Sequence, residues 1–100
     1  MKSGLKDKVI LVTGGAGGIG TQISKAFSEE GAKVIVHYHQ SEKNAEKLAK
    51  ELGCKAIKAD LTDSNQASSL FEQVIEMEGR IDVCIANAGF YPKQSTNLWN

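Results

Sequence analysis

The chain has 100 residues, and its 12 basic and 12 acidic side chains cancel at neutral pH, with no run of either sign longer than two. That length makes one small domain, able to bury about 65% of the surface its unfolded chain exposes, and the even charge gives no basis for binding nucleic acid or a membrane surface. Two scattered cysteines, Cys54 and Cys84, with no C-x-x-C spacing, exclude a disulfide framework and read as small buried hydrophobes.

In chain order, residues 1–8 (MKSGLKDK) lead into Val9-Ile10-Leu11-Val12, an unbroken apolar and β-branched run. It predicts a strand buried on both faces of a parallel sheet. Four apolar residues are too few for a signal-peptide core or a membrane span, so a cytoplasmic location is expected.

Five of the eight residues from Thr13 to Gly20 are glycine, and Ile19 opens a helical apolar period. A strand that breaks into glycine and re-emerges as a helix turns main-chain N–H groups toward open space. Backed by the positive end of the helix dipole, they form a seat for a phosphate. A Cβ there would block positive φ in the turn and hold a pyrophosphate off the backbone.

Spacing separates the candidate sites. Gly15-x-Gly17-x-x-Gly20 satisfies G-x-G-x-x-G, a weak signal alone, and Thr13-Gly14-x-x-x-Gly18-Ile19-Gly20 satisfies the rarer T-G-x-x-x-G-x-G. The phosphate loop of nucleotide triphosphatases shares the Gly15-to-Gly20 spacing, but it needs a lysine where Thr21 stands. The remaining alternatives are a glycine turn without ligand and a dinucleotide site; the flanking strand and helix favour the dinucleotide.

Beyond the loop, Ile19, Ile23, Ala26 and Phe27 form one apolar helical stripe, with Gln22, Ser24, Lys25 and Glu29 off it and Gly31 as its stop. A second strand is predicted over 33–39. Ser41 can cap a helix with Ala45, Leu48, Ala49 and Leu52 as its stripe and Gly53 closing it. A third strand is expected over 55–59, followed by Asp60-Leu61-Thr62-Asp63. Thr62 or Asp63 can cap the third helix, with Gln66 placed for a capping box if Asp63 is the cap. Ala67, Leu70, Phe71, Val74, Met77 and Glu78 supply its inner side, Gly79 ends it, and 81–86 make a fourth strand running into Asn87-Ala88-Gly89.

The order βαβαβαβ demands parallel pairing through right-handed crossovers, and strand order 3-2-1-4 is expected. The fold class is therefore α/β, a three-layer Rossmann-type parallel sheet, here partial, spanning residues 1–100 with an irregular stretch over 90–100. The glycine loop and Asn87-Ala88-Gly89 end the first and fourth strands, so both tips face the crevice where the sheet reverses direction.

These residues resemble the short-chain dehydrogenase/reductase family in its compact subgroup. The likeness rests on the Thr13–Gly20 motif, Asp60-Leu61 after the third strand, Gly79-Arg80-Ile81-Asp82 entering the fourth, and Ala86-Asn87-Ala88-Gly89 in place of the usual N-N-A-G. It implies NAD(P) as cofactor. Gly14, Gly18, Ile19 and Gly20 would cradle the pyrophosphate, with Thr13 bracing the turn. Asp60 and Leu61 would border the adenine, Asp60 accepting from its amino group. Asn87, Ala88 and Gly89 would lie against the riboses.

The cofactor's 2′ position is read at the end of the second strand, where an NAD enzyme usually places a carboxylate. Tyr38 stands there, followed by His39, and the arginines typical of NADP members are missing as well. His39, Ser41 and Lys43 could bind a phosphate, so NADP is expected to be accepted at least as well as NAD. His37 and His39 lie on one face of a strand, but no third metal ligand is near, and no metal is expected.

Family members pass a proton through the tyrosine of Y-x-x-x-K, with a serine upstream positioning the oxygen. Here Glu42 and Ser95 stand four residues after the two tyrosines, Tyr38 and Tyr91, so no catalytic residue can be named and the chain alone is expected to be inactive. Two readings follow: the N-terminal, cofactor-binding part of an oxidoreductase whose small-molecule substrate meets only a longer form, or a dinucleotide-binding or interaction module complete in itself. In either, an uncovered fourth strand could associate with something else.

Overall fold

The structure is a computed structural model in which residues 4–87 are described; Ala88, Gly89 and the stretch over 90–100 lie outside them. The elements alternate as the apolar pattern predicts: β1 (Val9–Thr13), α1 (Gly18–Glu29), β2 (Lys33–Tyr38), α2 (Glu42–Leu52), β3 (Lys55–Lys58), α3 (Ser64–Glu78) and β4 (Val83–Ala86). The four strands pair in parallel in the order β3-β2-β1-β4. β1 is buried at all five positions because it lies centrally and is covered on both faces. Ile10 sits beside Val34 and Val83, and Leu11 beside Ile35 and Cys84.

Alternation along β1 and β2 divides the core in two. Val9, Leu11, Ile35 and Ile57 turn toward Ala67, Leu70 and Val74 of α3. Ile10, Val12, Val34 and Val36 turn the other way, toward Ala45 and Leu48 of α2 and the half-buried Ile23 and Phe27 of α1. Fully burying a side chain such as Leu70 or Ile10 contributes about 1.5–3 kcal/mol each, and this holds the crossovers in place. Cys54 and Cys84 are free thiols packed on opposite faces of the sheet.

The inner face of α1 departs from the predicted stripe. Gly20 and Ser24 are its buried residues, while Ile19 is 73% exposed and Ala26 is exposed as well. The first turn of the helix approaches the glycine loop too closely for larger groups. A Cβ on Gly20 would land on the Gly14 carbonyl oxygen, and Ser24 Oγ donates to the Gly15 carbonyl at 3.4 Å. Proximity, not hydrophobicity, selects those residues.

The strands also end differently from the apolar runs. β4 starts at Val83, not Ile81, because Asp82 takes over the pairing: its main-chain N–H donates to the Val9 carbonyl at 2.9 Å, and its carboxylate accepts from the Val9 N–H at 2.8 Å. β2 stops at Tyr38 and β3 at Lys58, with Ala59 still donating to the Tyr38 carbonyl at 3.0 Å. Asp63 caps α3 through the N–H groups of Asn65 and Gln66. The capping box does not close: Gln66 Oε1 accepts from the Asp60 N–H at 2.8 Å, since the Asp63 N–H is already held by the Asp60 carbonyl. Ser41 precedes α2 as its N-cap residue but makes no side-chain capping bond.

Candidate functional site

The site is built where β1 and β4 end side by side, with Thr13 in register with Ala86. Thr13 is fully buried, and its hydroxyl joins the two tips: Oγ1 donates to the Ile85 carbonyl at 3.2 Å and accepts the Asn87 N–H at 2.9 Å. The chain then turns sharply at Gly14, whose φ of 63° lies in the left-handed region where a Cβ is costly. The Gly14 carbonyl accepts from the Gly17 N–H at 3.2 Å and from the Asn87 side-chain amide, also at 3.2 Å.

What remains of the loop points outward. Gly17 is the N-cap of α1 and has no side chain to satisfy the first turn, and helical bonding begins only with the Thr21 N–H on the Gly17 carbonyl at 2.7 Å. The N–H groups of Gly18, Ile19 and Gly20 therefore have no main-chain acceptor among the described residues. A Cβ built on Gly18 would meet nothing within 4 Å, so the space beside Gly18 is open, whereas Gly20 is packed against the Gly14 carbonyl and Asn87. Uncapped amides at the positive end of a 12-residue helix favour an anion.

Beside the loop lies a cleft of about 350 Å³, lined among others by Gly14, Gly17, Tyr38, His39, Ser41 and Asn87. Its wall at the end of β2 carries no carboxylate. Lys43, suggested by the sequence as a phosphate partner, does not line it. Asp60 borders the neighbouring ground, its Oδ2 3.9 Å from His39 Nε2. Its Oδ1 accepts the Thr62 hydroxyl at 2.6 Å and the Thr62 N–H at 2.9 Å, and these bonds, with a smaller contribution from His39, hold the Asp60 carboxyl below its ordinary value. Leu61 is 5% exposed as a whole residue and belongs to the core against α3, so its side chain is not available at the surface. Of the residues singled out in the sequence, Gly14, Tyr38, His39 and Asn87 come together around one cleft; Gly18 lines a separate one with Lys25 of α1 and Lys47 of α2, and Ile19 and Gly20 line neither.

His37 is the residue whose role sequence reasoning missed. The sequence pattern sets it beside His39 only as a metal pair, yet it is 2% exposed and both ring nitrogens are engaged, by the Gly14 N–H at 3.0 Å and the Ala59 carbonyl at 2.8 Å. The signal was present: strand alternation turns position 37 inward with Ile35, and a buried imidazole needs partners. No group of three or more His, Cys, Asp or Glu side chains able to hold a metal occurs among the described residues, and no described helix is long and apolar enough to cross a membrane.

The parallel order β3-β2-β1-β4, with a glycine turn at the reversal, defines a Rossmann-type α/β domain. The chain belongs to the short chain dehydrogenase family, whose profile matches residues 8–99. It is 39% identical over 94 residues to an uncharacterized oxidoreductase of Methylorubrum extorquens, covering 89% of this chain and 38% of that protein. It is likewise 39% identical over 89 residues to a sorbose reductase of Candida albicans, covering 85% of this chain and 32% of that one. Among solved structures it resembles a blue fluorescent protein from a metagenomic library in complex with NADPH, with a TM-score of 0.81 and 35% identity, over 86% of this chain and 38% of the other. A Pseudomonas aeruginosa RhlG/NADP active-site complex gives a TM-score of 0.78 at 36% identity, over 86% and 35%. The chain thus spans about a third of the length of these relatives, between 32% and 38%.

Proposed function

We propose that this chain is the NAD(P)-binding portion of an oxidoreductase that interconverts an alcohol and a carbonyl by hydride transfer, acting in the cytoplasm. The observation that carries the reading is that the amides of Gly18, Ile19 and Gly20 have no main-chain acceptor among the described residues, with open space at Gly18, while Gly14 and Gly17 of the same loop line a cleft that has no carboxylate among its lining residues. Those amides and the helix dipole would take the pyrophosphate, with Thr13 and Asn87 holding the turn. Asn87, Ala88 and Gly89 would border the riboses, and Asp60, through its Oδ2, would accept from the adenine amino group beside the Leu61 main chain.

Bound there, the nicotinamide supplies the hydride. The chain's own residues bind and orient it; proton transfer is assigned to no residue here, since neither tyrosine is followed by lysine at the fourth position. Tyr38, His39 and Ser41 would face the 2′ position, and no carboxylate is among the residues lining the cleft there, so NADP is accepted at least as well as NAD, a reading supported by the NADPH and NADP complexes of the related structures. β4, the outer strand of the sheet as described, is the edge through which further chain or a partner would add.

Titrating the purified chain with NADPH and NADH, followed by the fluorescence of the reduced nicotinamide, tests this. Saturable binding of NADPH at least as tight as that of NADH is expected. A clear preference for NADH overturns the reading of the 2′ position, and failure of both overturns the site.

A further inference from the structure

We propose that His37 is a positioning residue for the phosphate-seating loop, working only as the neutral imidazole, so that dinucleotide binding is lost in acid when the ring takes up a proton. The proposal rests on the reading of the loop given above.

The tautomer follows from the partners. A carbonyl only accepts, so Nε2, 2.8 Å from the Ala59 oxygen, carries the hydrogen; an amide N–H only donates, so Nδ1, 3.0 Å from the Gly14 nitrogen, carries a lone pair. The His37 carbonyl also accepts the Gly15 N–H at 3.0 Å. One residue of β2 therefore takes up two consecutive loop amides, while the far side of its ring is anchored to the exit of β3. This brace holds Gly14 in its left-handed turn, and the chain runs from that turn into the Gly18–Gly20 amides that open α1.

A proton on Nδ1 would set N–H against N–H. The bond to Gly14 would be lost, and a charge would sit at a position 2% exposed. The titratable groups about the ring are few. His39 follows on β2, Asp60 and Asp63 lie between β3 and α3, and Cys84 is a neutral thiol on the same sheet face; Thr13, the glycine loop and Asn87 bring no charge. Burial lowers the His37 pKa from its ordinary 6.5, and His39 adds to this, against an opposing pull from the Ala59 carbonyl. The folded chain thus favours the neutral ring, and the brace is intact at neutral pH and fails below 6.5.

Two measurements on the chain test this. In the cofactor-free protein labelled with ¹⁵N, the His37 ring nitrogens and the Gly14 and Gly15 amides are followed from about pH 7.5 to about 4.5. A ring protonated on Nε2, with a Gly14 amide shift that moves as the ring titrates, is expected. In parallel, NADP⁺ and NAD⁺ affinities are measured over the same range for the parent, H37N, H37F and H39N; NAD⁺ lacks the 2′-phosphate and its own titration. The parent should lose about tenfold in affinity per pH unit once the ring titrates. In H37N, Oδ1 stands in for Nδ1, so affinity near neutrality should stay within a few-fold and the acid loss should vanish. H37F, with no acceptor, should bind about tenfold more weakly than the parent near neutrality and lack the acid loss, and H39N should keep the parent's slope for NAD⁺. An acid loss undiminished in H37N, a ring protonated on Nδ1, or a Gly14 amide indifferent to the ring overturns the proposal. A parent that binds neither cofactor at any pH overturns the functional reading instead, while a Gly14 amide that follows the ring still upholds the brace.

Discussion

The Asn87 side chain bridges β4 and β1: its amide donates to the Gly14 carbonyl at 3.2 Å, while its main-chain N–H donates to Thr13 Oγ1 at 2.9 Å. With His37 holding the Gly14 N–H from the side of β2, one glycine is fixed at its donor by one neighbouring strand and at its acceptor by the end of the other. The seat is rigid because both neighbours of β1 hold it.

Replacing Asn87 with Ala removes one of those ties and leaves Thr13 its partner, since the Asn87 N–H is main chain. The lost bond is worth about 1 kcal/mol, so NADPH affinity should fall about fivefold with the circular dichroism spectrum unchanged. Asn87→Asp should fall further, because a carboxylate can only repel the Gly14 carbonyl. Equal binding by all three proteins would mean that Asn87 does not shape the seat.

Two glycine substitutions should separate folding from binding. A Cβ at Gly18 meets no atom within 4 Å, so Gly18→Asp should keep its melting temperature while its carboxylate fills the phosphate position, and affinity should drop more than about tenfold. Gly20→Ala should destabilise the fold by about 1–3 kcal/mol, because its Cβ would lie on the Gly14 carbonyl and 2.8 Å from the Asn87 amide nitrogen. Thermal melts and cofactor titrations on both variants check the pair. Gly18→Asp binding as tightly as the parent would show that the loop is not the site.

Asp82 should make stability depend on acid. Its Oδ2 accepts from the Val9 N–H at 2.8 Å and from Arg80 Nε at 2.9 Å, and the Val9 bond first, then the Arg80 charge, lowers its pKa from the ordinary 3.8. A carboxyl depressed in the folded state stabilises it above 3.8, and that contribution fades as pH falls through the folded value. Asp82→Asn should therefore melt at a lower temperature than the parent at pH 7, with the two curves converging in strong acid. Melts recorded across that range test it; a gap independent of pH would assign the loss to packing.

Most of the fold was legible because it follows from local alternation. Val9 to Val12 is too evenly apolar for anything but a central strand, and Gly31, Gly53 and Gly79 mark where three helices stop, each with positive φ. The crossover rule then ordered the strands. The motif spacing likewise located the seat, since glycine is needed wherever a ligand or another backbone comes close.

Contacts between segments far apart in the chain were not legible, and the errors share that cause. Ile19 looked like a core residue by period yet stands exposed, and Ser24 looked like a surface residue yet is fully buried, because the distance from α1 to the Gly14–Gly15 turn exists only once β1 and α1 are packed. Asp82 displaced the start of β4 because a carboxylate can substitute for a strand partner only when Val9 is beside it. By itself the sequence determined the order of elements, the family resemblance and the place of the glycine turn, all of which depend on residues near one another in the chain. Only the tertiary structure decided that His37 and Asn87, 23 and 73 positions away from Gly14, hold that turn from two sides, because a hydrogen bond depends on distance in space and not on separation along the chain.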